Sequence, residues 1–272
     1  MTSVRSQDGT TIAYDRVGSG PPLIIVGGAF SYRRWKGFVQ LAELLADQFT
    51  VVNYDRRGRG DSADAREYDV QREVEDIAAL VDALGGRAAA FGMSSGGVLA
   101  LRAAAAGVPL TRLVVYQPPF LVGDSGHRPP TDFGARLREL VADDRRGAAT
   151  SYFMRAGMGA PAPFVALMRL VPPLWANLKA VAHTLPYDHA VMGETLSGAP
   201  LSASPWATIT TPALVVDGAK SPASLHAAAD QLAARLPRGE RRTLTGQSHN
   251  VSMKALAPVI ADFVTAAARS AA

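Results

Sequence analysis

The chain has no cysteine among its 272 residues. That excludes disulfide bridges, thiolate metal sites and a cysteine nucleophile. No apolar run approaches the ~20 residues a helix needs to cross a bilayer, so no spanning segment is expected. The N-terminus has neither a basic n-region nor an apolar h-region, so no secretory signal is expected and the cytoplasm is the default compartment. A strong charge of one sign is missing too: the net charge is only +4. The arginines fall in scattered pairs, Arg33-Arg34, Arg56-Arg57, Arg145-Arg146 and Arg241-Arg242, without interleaved aromatics on one element. They read as solvated surface charges, so no nucleic acid is expected as partner; with no spanning run, no membrane is expected either. Arg59-Gly60-Asp61 reads as an accidental tripeptide. There is no internal repeat and no low-complexity tail.

What is present is ordinary for a soluble protein, with 48% apolar and 19% charged residues. The length suits one large domain, or a domain with an insertion, and can bury a substantial core. Asp8-Gly9 is a hairpin signal ahead of a strand at Thr11–Asp15. Leu23–Val26 is a continuous apolar run ending in Gly27-Gly28, as a buried central strand requires. Phe38, Leu41, Leu44 and Leu45 mark a helix, and Thr50–Tyr54 the next strand. Val70–Leu84 is amphipathic, with Val74, Ile77, Leu80, Val81 and Leu84 on one face and a stop at Gly85-Gly86. Further strands are predicted at Ala88–Phe91, Leu113–Tyr116, Pro212–Asp217 and Arg241–Leu244, with helices at Ala223–Leu236 and Leu256–Ala268. Strands alternating with helices predict a parallel sheet covered on both faces.

Residues 121–207 break the alternation. They carry helical patterns, methionines and aromatics but no strand, bounded by Pro118-Pro119 and Pro129-Pro130 on entry and by Pro200 and Pro205 on exit. The expected organisation is a core of residues 1–120 and 208–272 with a helical cap inserted over 121–207.

Chemistry concentrates at Gly92-Met93-Ser94-Ser95-Gly96, a G-x-S-x-G segment between a strand and a helix. Such a turn exposes the serine, and the helix start aims N–H groups and a positive dipole end at an oxyanion beside it. Ser94 is the candidate nucleophile. His249 lies in the loop after the last strand, where it can fold back over the C-terminal sheet edge as general base. The oxyanion donors expected are the N–H of Ser95 and, from Gly27-Gly28-Ala29-Phe30, the N–H of Ala29.

Together these residues resemble the α/β-hydrolase superfamily. Asp55-Arg56-Arg57-Gly58-Arg59-Gly60-Asp61-Ser62 is similar to its D-x-R-G-x-G-x-S segment. Ala182-His183-Thr184-Leu185-Pro186-Tyr187-Asp188 resembles cap segments of small bacterial members. The resemblance covers essentially the whole chain. It implies an α/β fold with a mostly parallel eight-stranded sheet flanked by helices, a serine nucleophile and no cofactor or metal. Members that open epoxides or remove halogens use a carboxylate nucleophile, which Ser94 is not.

The third triad member departs from the family pattern. The usual acid follows the strand ending at Asp217, where this chain has Gly218-Ala219-Lys220-Ser221-Pro222. The alternative position, after Tyr116, holds Gln117. Asp217 is the nearest spare carboxylate; Gln117 would orient the histidine without charge; Asp188 and Asp124 are more remote. In a serine protease, replacing the acid by its amide costs about ten-thousandfold in turnover. Phe30, Phe153, Met154, Met158, Trp175, His183 and Tyr187 are the candidate pocket lining, pointing to a small apolar or aromatic substrate. The chemistry expected is hydrolysis of an ester, lactone or thioester by a monomer or homodimer. The neutral acid positions keep two alternatives open: a non-hydrolytic lyase, cyclase or isomerase on the same residues, and a small-molecule binder without turnover.

Overall fold

The computed structural model describes residues 2–65, 67–123, 126–199, 201–202 and 204–269. Asp124 and Pro200, named above, lie outside them. Eight strands form one sheet: β1 (Thr2–Arg5), β2 (Thr11–Val17), β3 (Pro22–Val26), β4 (Thr50–Tyr54), β5 (Ala88–Met93), β6 (Leu110–Tyr116), β7 (Ala213–Gly218) and β8 (Gly239–Leu244). Their spatial order is β1-β2-β4-β3-β5-β6-β7-β8. β1 and β2 are antiparallel, β2 pairs antiparallel with β4, and the rest is parallel. β6 starts three residues before the predicted Leu113 and β8 two before Arg241. Polar residues (Thr111 and Arg112; Glu240) interrupt the apolar runs there, and pairing with neighbouring strands extends the ladder past them.

Among the described residues ten α-helices follow in chain order: α1 (Lys36–Leu45), α2 (Val70–Ala83), α3 (Ser95–Ala105), α4 (Phe133–Ala142), α5 (Arg146–Tyr152), α6 (Ala162–Arg169), α7 (Pro172–Ala180), α8 (Leu185–Met192), α9 (Ala223–Arg235) and α10 (Met253–Arg269). Strand alternation decides which face each side chain serves. Leu23, Ile25 and Val51 pack with α1 and α10, while Ile24, Val26 and Val52 pack with α2, α3 and α9. Both faces are therefore dry, which is why β3 reads as an unbroken apolar run. Helix α2 begins where Asp69 accepts the Gln71 N–H at 2.8 Å and stops at Gly85 and Gly86, both left-handed. In α1, Phe38, Leu41 and Leu45 are buried, but Leu44 faces solvent: Ala42 holds the inward position.

α4 to α8 lie between β6 and β7. Among the described residues no strand occurs there, only an isolated bridge from Val122 to Gly198. This insertion has its own small core, with Phe133, Leu137, Leu140, Phe153 and Leu185 at its centre.

The surface reading of the arginine pairs holds for Arg34, Arg145, Arg146, Arg241 and Arg242, which are exposed, and fails for Arg33, Arg56 and Arg57. Arg33, Arg56, Arg57 and Arg59 are buried, each against carboxylates: Asp15, Asp55 and Asp61 for Arg33, Glu73 and Asp188 for Arg56, Asp76 and Asp8 for Arg57, and Asp188 for Arg59. Arg59-Gly60-Asp61 is accordingly a structural turn, its arginine and aspartate both engaged. Burying an arginine is tolerable only with such pairing.

Candidate active site

Ser94 sits between β5 and α3 with φ 55° and ψ −129°. Few L-residues adopt such angles, and the surroundings must hold them. The Ser94 N–H donates to Tyr116 O at 2.9 Å, and Ser94 O accepts from Gly97 N–H at 2.8 Å. Close approach makes the glycine at 96 obligatory: a Cβ there would lie 2.2 Å from Val26 O, the last carbonyl of β3. Ser94 thus stands at the positive end of an 11-residue helix.

β6 lies beside β5, with Tyr116 paired to Met93, so the residue after Tyr116 borders the turn at Ser94. That residue is Gln117, buried and left-handed at φ 43°. Its N–H donates to Val216 O at 2.9 Å. Its side-chain amide nitrogen donates to the Ser221 hydroxyl, and its Oε1 faces His249 Nδ1 at 3.0 Å. An amide oxygen only accepts, so this contact puts the histidine proton on Nδ1 and leaves Nε2 with its lone pair. The loop bearing His249 is held by the Tyr116 hydroxyl, which donates to Ser248 O at 2.5 Å. Burial holds His249 below the ordinary histidine value. Among the described residues the Ser94 hydroxyl makes no hydrogen bond, to His249 or otherwise; in ligand-free sites such bonds are often long and tighten with substrate.

Asp217 is not brought to His249. It pairs with Thr243 of β8 in the sheet, and its carboxylate accepts from Thr243 Oγ1 at 2.6 Å, Arg241 Nη2 at 2.8 Å and His226 Nδ1 at 2.5 Å. Those partners occupy the carboxylate on the β8–α9 side. The two neutral positions of the pattern, Gln117 and Ser221, instead meet each other.

The loop after β3 approaches Ser94 closely. A Cβ on Gly28 would lie 2.7 Å from Met93 O and 3.0 Å from Ser94 Cβ. Gly28 O accepts from Arg59 Nη1 at 2.6 Å and from Ser31 Oγ at 2.6 Å. In a trans peptide C=O and N–H point opposite ways, so this grip turns the Ala29 N–H away from Arg59. Phe30 follows with φ 63°. Of the four left-handed non-glycine residues among those described, three are Phe30, Ser94 and Gln117. Strain of this kind clusters where function needs a set geometry.

Ser95 is anchored as well. Its Oγ donates to Asp188 Oδ1 at 2.8 Å. Asp188 comes from α8 and is fully buried. Arg56 Nη1 and Arg59 Nη2 each reach it at 2.6 Å, and Arg56 also pairs with Glu73 at 2.6 Å. Burial pushes the Asp188 carboxyl up, but Arg59 and Arg56 together hold it below the usual range. Glu73, buried against the same Arg56, is lowered for the same reason. Sequence reasoning missed Arg56, Arg59 and Glu73. One signal was available: Glu73 and Asp76 precede Ile77 and Leu80 by four residues, on the apolar face of α2, where a carboxylate needs a cation.

The candidate lining residues divide. Phe30 and Phe153 meet edge to face at 5.4 Å, and Met154 and Trp175 join Phe30 in one apolar cluster. Met158 points to solvent, at 54% exposure, because the chain has left the insertion's core by that point. His183 and Tyr187 dock the insertion on the core. His183 Nε2 meets Gly58 O at 2.7 Å. Tyr187 stacks on Tyr68 at 3.9 Å and its hydroxyl reaches Asp64 at 3.1 Å.

The sequence profile described as the alpha/beta hydrolase family matches residues 23–261. The chain belongs to that family. It is similar to a solved alpha/beta hydrolase from Sphaerobacter thermophilus, with 50% identity and a TM-score of 0.89 over 96% of this chain and 99% of that one. It shares its fold with an enol-lactonase from Burkholderia xenovorans (21% identity, TM-score 0.71, 97% of this chain and 100% of that). It also shares it with an esterase from a Rhodococcus species (19% identity, TM-score 0.69, 97% and 98%). The family and the Sphaerobacter relative support a hydrolase-type enzyme. In this family member the eight-stranded, mostly parallel sheet and flanking helices are those of the family fold.

Proposed function

We propose that the chain is a serine hydrolase acting on a small apolar ester, lactone or thioester. Ser94 Oγ attacks the carbonyl carbon as His249 Nε2 takes its proton. The oxyanion is held by the N–H groups of Ala29 and Ser95. Collapse expels the alcohol or thiol, which leaves with the proton from His249, and an acyl group remains on Ser94. Water then attacks that ester, giving its proton to His249; collapse breaks the bond to Ser94 Oγ, which takes that proton back from His249, and the acid departs. The observation that carries the reading is Ser94 in a left-handed turn at the head of α3, with Gly28 against its Cβ. The contact between His249 Nδ1 and Gln117 Oε1 supports the role of the histidine. Fold likeness to an enol-lactonase and an esterase agrees with it.

Gln117 also favours a second reading. It orients His249 but offers no negative charge to an imidazolium, so proton transfer without an acyl-enzyme suits the site as well. Intact mass after exposure to a fluorophosphonate separates the two. Hydrolysis through Ser94 requires a single adduct that Ser94→Ala abolishes and His249→Ala slows. A folded wild type that stays unlabelled sinks the acyl-enzyme mechanism.

A further inference from the structure

The outer helices of the insertion are unusual in three respects. First, α6 buries only Val165 and α7 only Leu178. Among the described residues, six of the nine strongly exposed large apolar side chains fall between Met158 and Leu174. Phe164, Leu167, Leu170 and Leu174 recur every three to four residues, with Leu170 76% exposed. A patch of this kind on a soluble domain marks a contact surface. Second, the sequence from Arg145 to Tyr187 holds five cations, Arg145, Arg146, Arg155, Arg169 and Lys179, and no Asp or Glu. Third, Arg136, Arg145, Arg155 and Arg169 line a recess of about 690 Å³ between α4, α5 and α6 whose lining contains no acid and none of the candidate catalytic residues.

Arg136 pairs with Glu139, and Asp144, at the α4 end, pairs with Arg146. Arg169 lies over the Trp175 ring at 5.7 Å. The guanidiniums of Arg145 and Arg155 have no partner among the described residues. A twofold contact between two copies through this face would set the same arginines against each other. The chemistry that fits is anionic headgroups beside hydrocarbon: phosphates for the arginines, acyl chains for the leucines and Phe164. We propose that α6, α7 and the arginine-lined recess dock on an anionic phospholipid surface. The expectation of no membrane partner rested on the missing spanning run, and lateral docking needs none.

The test is sedimentation of the full chain with vesicles of phosphatidylcholine alone and of phosphatidylcholine mixed with phosphatidylglycerol. Partition to the mixed vesicles only, weakening with salt, is expected. Arg155→Gln with Arg169→Gln is expected to weaken it about thirtyfold, at roughly fivefold per arginine. Leu167→Ser with Leu170→Ser is expected to abolish it, while circular dichroism and turnover of a water-soluble ester stay unchanged. Ser94→Ala keeps vesicle binding, so this outcome is separate from that of the hydrolase reading. Absence of binding by folded wild type overturns the proposal. So does a dimer that the leucine variants dissociate while no vesicle is bound, or binding of free glycerol phosphate with none to vesicles.

Discussion

Gln117 meets His249 through an amide oxygen, which accepts a hydrogen bond but brings no net charge. In the proposed reaction an imidazolium at His249 would face a dipole there and no charge. Gln117→Glu would place a carboxylate on Nδ1 with little change in shape. Since amide for acid costs about 10⁴ in turnover in a serine protease, the substitution is expected to raise kcat by at least about tenfold. It should also move the pH profile. Burial already keeps His249 below its ordinary value, so the acid limb of kcat/KM in the wild type falls below about pH 6.5. A carboxylate favours the charged ring, raises its pKa and shifts that limb to higher pH. Rates across pH for both proteins check the sign. A Gln117→Glu protein that is folded, no faster and unshifted would show that this contact does not govern the histidine.

At the scale of elements, α8 does more than pack. Asp188 receives Arg56, Arg59 and Ser95 at once, and Arg59 also holds Gly28 O. One carboxylate thus joins the insertion, the turn after β4 and the start of α3. Asp188→Asn leaves two buried guanidiniums short of charge and is expected to cost about 3–5 kcal/mol, read from urea unfolding. Loss of turnover in the still-folded fraction, with a greater effect on kcat than on KM, is the second readout. A change below about 1 kcal/mol would mean that water has replaced the carboxylate.

These ties also mark how far the sequence could be read. Periodicity located the core strands and the helices outside the insertion because apolar burial repeats every two or 3.6 residues; it gave no positions for α4 to α8. Ser94 and His249 were candidates from local motif and chain order, and of the residues left open beside the histidine it is Gln117 that meets it. The Arg56, Arg59, Glu73 and Asp188 network was not legible: its members are up to 132 positions apart, and no local pattern distinguishes an arginine bound for the interior from one in solvent. Asp217 failed as a candidate for a related reason. Its partners lie on β8 and α9, and strand direction is set by sheet pairing that sequence proximity to the expected acid position does not report.

For the whole molecule, the buried pairs make stability depend on acid. Asp188, Glu73 and Asp217 are all held below their ordinary values, and Asp8 falls to about 2. Each contributes stability that is complete above its unfolded-state pKa and lost as pH falls through the folded one. Asp76 works the other way, its carboxyl being raised. His249 and His189, both lowered by burial, add a shallower loss that begins as pH drops below about 6.5. Urea midpoints measured from about pH 8 to pH 3 are expected to decline gently at first and steeply below about pH 4. A flat profile across the lower range would contradict the pairing of these carboxylates.

The fastening of α8 also bears on how a substrate gets in. An insertion hinged like a door would have to draw Asp188 out of two guanidiniums and release Ser95 with each turnover. Admission that spares these bonds must therefore leave α8 in place. The side of the insertion that touches Ser95, next to the candidate nucleophile, is then a fixed wall.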